Sequence, residues 1–103
     1  MYYLCQRFPL RPRSEWTITL QEHLDWMQSL HEAGTVVMSG PSRDRSVSLY
    51  LIRATSRQEA EAIAATDPFT AGGECRFELI DWEIHQILGV GTFVAAQLPH
   101  PPD

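Results

Sequence analysis

The chain has 103 residues and a formal net charge of −5, from 8 basic and 13 acidic side chains. That length fits one domain. The acidic balance, without a basic cluster, argues against nucleic acid and anionic membrane surfaces as partners. No apolar stretch approaches the roughly 20 residues that cross a bilayer, and the N-terminus lacks the basic lead and apolar run of a signal peptide. We therefore expect a cytoplasmic protein, with Cys5 and Cys75 as reduced, buried thiols because their spacing suits neither a CxxC pair nor a metal site.

The first predicted elements are a strand and a helix separated by a loop. Aromatic and apolar residues predict a strand over Tyr2–Phe8, and the prolines and arginines that follow predict a loop to about Ile18. A helix is predicted from about Leu20 to Ala33. Its start is marked by a capping box, in which Thr19 and Glu22 satisfy each other's backbone N–H groups.

One face of this helix is apolar, and such a stripe is expected to be buried. It consists of Leu20, Leu24, Met27 and Leu30. His23 lies in the first turn and borders this stripe rather than the solvent face. Gly34 is well suited to end the helix, because glycine adopts the left-handed conformation at no steric cost.

The second half of the chain repeats the pattern of strand and helix. We predict strands over Thr35–Gly40, Ser46–Arg53 and Cys75–Glu83, a polar hairpin loop over Pro41–Arg45, and a turn over Thr70–Gly73. A second capping box, Ser56 with Glu59, opens a helix whose inner face carries Ala60, Ile63 and Ala64. This helix is expected to end near Thr66, because Asp67 precedes Pro68 and is pushed out of helical geometry.

The resulting order, β-α-β-β-α-β, predicts an α+β fold in which two helices cover one face of an antiparallel sheet. Apolar residues nevertheless occur on both parities of the strands, as in Ser46–Arg53. Because two helices cover only one face and a large exposed apolar sheet is a liability, we expect a homodimer that packs sheet on sheet.

The pattern weakens beyond Glu83. The range Ile84–Gln97 predicts either a fifth strand or an arm laid on the partner subunit, and the proline-rich Leu98–Asp103 predicts a mobile tail. We therefore divide the chain into a domain at 1–83 and a C-terminal arm and tail at 84–103.

Four motifs in order resemble the YciI-like (YCII-related) family of small bacterial proteins over about residues 1–83. They are His23-Leu24 through Leu30 to Gly34, then Ser39-Gly40-Pro41, then Asp67-Pro68-Phe69, and finally Trp82. Two residues depart from the family pattern. Ser39 stands where Ala is commoner, and Glu74 replaces an apolar residue. Both departures bear on the identity of the substrate more than on the fold.

The resemblance implies a ferredoxin-like fold assembled into a dimeric α+β barrel, related in shape to muconolactone isomerases and cofactor-independent monooxygenases. It also implies a His–Asp pair in a cleft beside the sheet. For some family members it implies removal of chloride from chlorinated hydroxyquinols, whereas many members have no assigned reaction. Fold alone does not carry an activity from one protein to another.

His23 and Asp67 are the predicted catalytic pair. Histidine titrates near neutrality, which suits a general base or acid, and a carboxylate beside it would fix the imidazole tautomer. Each residue also has a structural interpretation. His23 would be a helix-surface residue tucked against Trp26, and Asp67 would be a helix-end residue chosen because Asp-Pro starts turns.

The remaining site residues are predicted around that pair. Ser39, Gly40 and Pro41 are expected to line the cleft, although a strand-end turn explains Gly-Pro equally well. We predict that three aromatic side chains form the walls of a pocket for a flat ring, namely Phe69, Trp26 and Tyr3. The alternative is that they are ordinary core residues. Arg7 would steer an anionic substrate, or it would be the solvated end of a strand.

The function that follows is a small acid–base enzyme, of isomerase/lyase or dehydrochlorinase type, acting on a small cyclic or phenolic anionic compound. No metal or cofactor is expected, since His23 and His31 lie roughly 80° apart on the helix and no phosphate-binding motif occurs. One alternative is a non-catalytic ligand-binding or accessory protein, which Glu74 and the tail favour slightly. A further alternative is a cofactor-independent monooxygenase.

Overall fold

The computed structural model describes residues 1–87, which contain one antiparallel sheet of four strands. The strands are β1 (Tyr2–Pro9), β2 (Val36–Pro41), β3 (Ser48–Arg53) and β4 (Cys75–Trp82). They lie in the order β2-β3-β1-β4 across the sheet. The helices are α1 (Leu20–Glu32), α2 (Arg57–Ala65) and α3 (Pro68–Ala71), and a 3-10 turn occupies Arg13–Glu15. The structure is thus a small α+β fold with an antiparallel sheet, as the order of the sequence patterns predicts.

Strand β1 lies at the centre of the sheet and determines which side chains face the helices. Its residues alternate, with Tyr3, Cys5 and Arg7 buried and the even-numbered neighbours half-buried. The core cluster joins this buried parity to Met27 of α1 and to two alanines of α2. Arg7 therefore reaches the layer between sheet and helices, as a charged residue on a parity that is otherwise apolar.

Both ends of α1 form as predicted. The Thr19 hydroxyl accepts from the backbone N–H of Glu22, and the Glu22 carboxylate accepts from the N–H of Thr19 at 2.8 Å. Gly34 follows the helix with φ +74°, the left-handed conformation that favours glycine. The second predicted capping box is only half formed. The Ser56 hydroxyl accepts from the N–H of Glu59, whereas the Glu59 carboxylate accepts from Thr55 instead of from Ser56.

The apolar stripe of α1 is only partly buried, which corrects the prediction. Met27 is buried and Leu30 packs against the core, but Leu20 and Leu24 are 57% and 48% exposed. Periodicity places these four residues on one face of the helix, but it does not say how far the neighbouring elements extend beneath that face. The first two turns of α1 border an open cavity instead of the core.

Two further boundaries differ from the predictions. The range predicted as a turn, Thr70–Gly73, begins inside α3, because Pro68 fits the first helical position. The strand predicted from Ser46 begins at Ser48, after a loop in which Arg45 has φ +66°. The predicted arm and tail at 84–103 lie almost entirely outside the described residues. Within 1–87, each helix is too short or too polar to span a membrane.

The cap of α1 provides a direct test of this local structure. Replacing Thr19 by Ala removes the acceptor for the Glu22 N–H, and we expect a loss of about 1 kcal/mol in the free energy of unfolding. That loss corresponds to a decrease of about 4–8 °C in Tm, measured by circular dichroism. Thr19→Ser keeps the hydroxyl and is expected to unfold close to the wild-type temperature. Equal Tm values for Thr19→Ala and the wild type would contradict the cap.

Candidate active site

A buried carboxylate, a guanidinium and an imidazole meet between the sheet and the helices. Asp67 Oδ2 accepts from Arg7 Nη1 at 2.9 Å, and Asp67 Oδ1 lies 3.1 Å from His23 Nδ1. Asp67 is fully buried, and the His23 side chain is 12% exposed. The three residues come from the α2–α3 junction, β1 and α1, so the cluster joins three separate segments of the chain.

The local backbone explains the position of Asp67. The residue follows the end of α2 in an extended conformation, φ −54° and ψ 124°, as expected before Pro68. Its Oδ1 also accepts from the backbone N–H of Phe69 at 3.1 Å and so caps α3. Asp67 is therefore both the helix-end residue and the partner of His23. The two interpretations drawn from the sequence do not exclude each other.

Asp67 is held in its ionised form. Burial raises the pKa of this carboxyl, but the hydrogen bonds from His23 and Arg7 and the positive charge of Arg7 outweigh burial and leave the pKa lowered. An ionised carboxylate can only accept hydrogen bonds. It has three donors here, namely the Arg7 guanidinium, the His23 ring and the Phe69 backbone N–H.

The same hydrogen bonds assign the tautomer of His23. Because Asp67 is an acceptor, Nδ1 must carry the proton that lies between the two side chains. Arg7 Nη1 also lies 3.1 Å from Nδ1, but it donates to Asp67 rather than to this protonated nitrogen. In the neutral ring, Nε2 then keeps its lone pair, and Arg7 Nη1 lies 3.5 Å from it. This is the form of imidazole that accepts a proton.

His23 borders an open cavity of about 460 Å³. That volume is within the range of small-molecule sites. The predicted trio Ser39, Gly40 and Pro41 also borders it, and the Ser39 hydroxyl lies 2.8 Å from His31 Nε2. The other lining residues are Arg7, Arg13, Leu20, Leu24, Met27, Arg45, Ser48, Leu49 and Tyr50.

The three aromatic residues predicted as walls do not line this cavity. Phe69 is buried behind the imidazole, with its ring stacked on His23 at 5.2 Å between centroids. Trp26 also packs against His23, with 5.8 Å between the ring centroids, and its Nε1 donates to Thr66 Oγ1. Both rings hold the imidazole in place. The prediction for Tyr3 needs correction, because Tyr3 lies four residues before Arg7 on β1, about 13 Å away along the strand.

The structural interpretation of Arg7 as a solvated strand end is wrong. Arg7 is buried, and its guanidinium donates to Asp67 through Nη1 and to Ser48 Oγ through Nη2 at 3.0 Å. The register explains the second contact, since Arg7 pairs with Ser48 across the β1–β3 ladder. Arg7 borders the cavity while its charge is compensated by Asp67.

Sequence analysis did not single out Arg13, Arg45, Ser48 or Tyr50, which all border the cavity. Alternation along β3 places Tyr50 on the same parity as the core residue Ile52. Its buried hydroxyl has no oxygen or nitrogen partner within residues 1–87, and burial raises the pKa of Tyr50, which keeps it neutral. The sequence does not indicate the positive φ of Arg45, because the loop that contains this residue has no glycine.

Glu74, the departure from the family pattern, has a structural role. Its Oε1 accepts from the backbone and hydroxyl of Thr17 and from the backbone of Ile18. Burial raises the pKa of Glu74, but these hydrogen bonds outweigh it and leave the pKa lowered. Glu74 thus ties β4 to the loop before α1, and it is not among the residues that border the cavity.

Within residues 1–87, His, Cys, Asp and Glu do not gather into a group of three that would suit a metal ion. The two cysteines are free and buried. Burial raises the pKa of the Cys5 thiol to about 11, so the thiol is protonated at neutral pH.

Comparisons with known proteins agree with this fold. A family model described as the YCII-related domain matches residues 2–83. Among solved structures, the fold is similar to 5-chloro-2-hydroxyhydroquinone dehydrochlorinase (TftG) from Burkholderia phenoliruptrix AC1100, in complex with 2,5-dihydroxybenzoquinone. The TM-score is 0.60 at 24% sequence identity, covering 81% of this chain and 94% of that chain. A comparison with curated proteins gives no match.

The charge pairing in the cluster predicts a large effect of Asp67→Asn on stability. The substitution leaves Arg7 as an uncompensated buried cation, and we expect a loss of about 3–5 kcal/mol at pH 7 in urea unfolding. The double variant Arg7→Met with Asp67→Asn should recover part of that loss. Asp25→Asn, on the exposed face of α1, is the matched control and should stay close to the wild type.

The sign of the pH dependence follows from the lowered pKa of Asp67. Its contribution to stability is present above the unfolded pKa, about 3.9, and is lost as the pH falls through the lower folded value. The difference between the wild type and Asp67→Asn should therefore shrink in acid. A constant difference from pH 7 to pH 3 would contradict an ionised Asp67.

Proposed function

This chain belongs to the YCII-related domain family, and from that premise we propose that it is a small cofactor-free acid–base enzyme. The proposed reaction is of isomerase/lyase or dehydrochlorinase type, on a small cyclic or phenolic anionic compound. The observation that carries the proposal is the His23 imidazole, which borders an open cavity while an ionised Asp67 holds its Nδ1 proton. A general base needs this combination of a fixed ring and access to substrate.

In the proposed step, His23 Nε2 takes a proton from an acidic O–H of the ring, or from a C–H next to a carbonyl. The electron pair left on the substrate then moves through the ring. In an elimination, the pair expels a leaving group as an anion, and His23 then releases the proton to solvent. In an isomerisation, the pair shifts a double bond, and His23 returns the proton to a different atom of the substrate. Asp67 stays ionised throughout and stabilises the imidazolium.

Arg7 suits the negative charge that this step creates on a substrate oxygen. A guanidinium has five N–H donors, and Arg7 uses two of its nitrogens on Asp67 and Ser48. The remaining donors belong to a residue that borders the cavity. Since Arg7 and Asp67 offset each other, a neutral His23 can gain a proton while the substrate gains a negative charge.

The structurally similar dehydrochlorinase, whose complex contains 2,5-dihydroxybenzoquinone, supports a flat oxygenated ring as the ligand. A cavity of about 460 Å³ is large enough for one such ring. Glu74 departs from the family pattern, but its carboxylate binds the loop before α1 and does not border the cavity. This departure is therefore compatible with an active site in the cavity.

We also propose that the fold is ferredoxin-like and that two copies form a dimeric α+β barrel. The sheet order β2-β3-β1-β4 supports the first part. The face of the sheet opposite the core supports the second, since Tyr2 pairs with Trp82 and Leu4 with Ile80 on it. Trp82 and Ile80 are 46% and 47% exposed in the single chain, which a second sheet would cover.

The proton-transfer role of His23 is tested by His23→Ala with 5-chloro-2-hydroxyhydroquinone and related quinols, following chloride release and quinone absorbance. We expect kcat to fall by about 10²- to 10⁴-fold, because the general base is lost. Gln28→Ala, exposed on the same helix, is the matched control and should turn over like the wild type. Unchanged turnover in His23→Ala would remove this residue from the mechanism. Wild-type binding without turnover across the set would identify an accessory protein.

The dimer is tested by sedimentation velocity at micromolar concentration. The wild type should sediment with twice the mass of one chain. Ile80→Asp should sediment as a single chain, because a carboxylate would be buried between the two sheets. Ala62→Glu, an exposed position on α2, should leave the dimer intact. A wild-type monomer would contradict the proposal.

A further inference from the structure

We propose that a second, smaller cavity beside the candidate active site is a subsite for a carboxylate carried by the substrate, with Arg13 and Arg45 as its ligands. This inference rests on the proposed function, since it takes the ring of the substrate to lie beside His23. The smaller cavity measures about 140 Å³ and shares Arg7, Arg13, Arg45 and Ser48 with the larger one. The two cavities therefore adjoin along this shared wall.

The charge around the two cavities is opposite to that of the whole chain. The protein carries 13 acidic and 8 basic residues, and all of the basic residues are arginines. Four of these arginines border the smaller cavity, whereas neither cavity has an Asp or Glu among its lining residues within 1–87. The four are Arg7, Arg11, Arg13 and Arg45. Clustered like charges repel one another, and a bound anion would offset that repulsion.

Arg13 and Arg45 are available for such an anion, whereas the charge of Arg7 is already compensated by Asp67. Neither has an ion-pair partner among the described residues. Arg13 is exposed, and its guanidinium lies over the Trp16 ring at 5.3 Å, a cation–π contact that does not neutralise its charge. The positive charge thus remains available beside the cavity.

The loop around Arg45 is ordered by its own hydrogen bonds. Asp44 Oδ1 accepts from the hydroxyl and backbone N–H of Ser46 and from the hydroxyl of Ser42, and these bonds lower the pKa of Asp44 to about 2. The Asp44 carboxylate is thereby hydrogen-bonded within its own loop. Arg45 itself has φ +66°, a conformation that costs free energy in a residue with a side chain. Arg45 borders both cavities.

The size of the smaller cavity indicates what it would bind. A volume of about 140 Å³ lies below the range for a whole ligand and suits one substituent. Pro9, Pro12, Trp16 and Val47 add apolar walls to the arginines. A carboxylate attached to a ring is a substituent of suitable size, and guanidinium groups bind carboxylates with paired hydrogen bonds. The predicted substrate is thus a cyclic compound that carries a carboxylate.

The experiment compares two rings that differ only by a carboxylate, 2,5-dihydroxybenzoate and hydroquinone, by calorimetric titration of the full chain. We expect 2,5-dihydroxybenzoate to bind the wild type more tightly. In Arg13→Gln and in Arg45→Asn its Kd should rise by about 10- to 100-fold, because a charged hydrogen-bond partner is lost. The Kd of hydroquinone should change less than about twofold. Asn is chosen at position 45 because it tolerates positive φ.

Arg43→Gln is the matched control, since Arg43 is exposed on the same loop but borders neither cavity. It should bind both rings like the wild type, and thermal unfolding of each variant checks that the fold is kept. Equal Kd values for the two rings, or an equal loss in the control, would overturn the subsite. So would inorganic phosphate binding that depends on Arg13 and Arg45 while the carboxylated ring does not bind.

The outcome separates the subsite from the proposed function. If the two rings bind with equal Kd values and turnover requires His23, the acid–base enzyme is supported and the subsite is ruled out. Carboxylate binding that depends on Arg13 and Arg45, without any turnover, would support the subsite in a non-catalytic protein.

Discussion

The buried carboxylate of Asp67 is the group on which the rest of the site depends. An ionised carboxylate without partners would be very costly in this layer, between a sheet and two helices. Asp67 is stabilised by the Arg7 guanidinium, the His23 ring and the Phe69 backbone N–H, which come from different segments of the chain. Forming this cluster therefore requires the sheet, α1 and the α2–α3 junction to assemble together. The orientation of His23 follows from the same requirement.

This coupling joins stability and chemistry in one cluster. Because Asp67 accepts from Nδ1, the lone pair of a neutral His23 belongs to Nε2. The rings of Phe69 and Trp26 both pack against the imidazole. In the proposed reaction, a base held by packing and by a hydrogen bond does not have to be ordered again in each cycle. The contacts that bury Asp67 would thus also preorganise the proposed proton acceptor.

Local signals in the sequence predicted much of the fold and, within the site, the backbone position of Asp67. The capping box at Thr19 and the Asp67-Pro68 boundary each depend on neighbours within three residues, and both form in the structure. In the structure, Arg7 lies on the same strand parity as Tyr3 and Cys5. Its burial was not predicted, since a charge on a buried parity is stable only with a partner. Its partner lies 60 residues away in the chain.

Other features depend on how far one element extends over another, which periodicity does not contain. Leu20 and Leu24 share a helix face with Met27, yet only Met27 is covered by the core. The even spacing of apolar residues along α1 could not reveal where the cavity begins. Glu74 is a similar case, because its partners in the loop before α1 are visible only after the chain has folded.

The distribution of charge shows the limit of arguments from net charge. A formal charge of −5 argues against extended anionic partners, which interact with whole surfaces. A small ligand interacts instead with the few groups that line its site, at distances below the screening length of about 8–10 Å. Around the two cavities those groups are arginines, while the described carboxylates lie elsewhere or, like Asp67, are paired. An acidic protein can therefore select a small anion, because the local arrangement rather than the total charge determines the potential at the site.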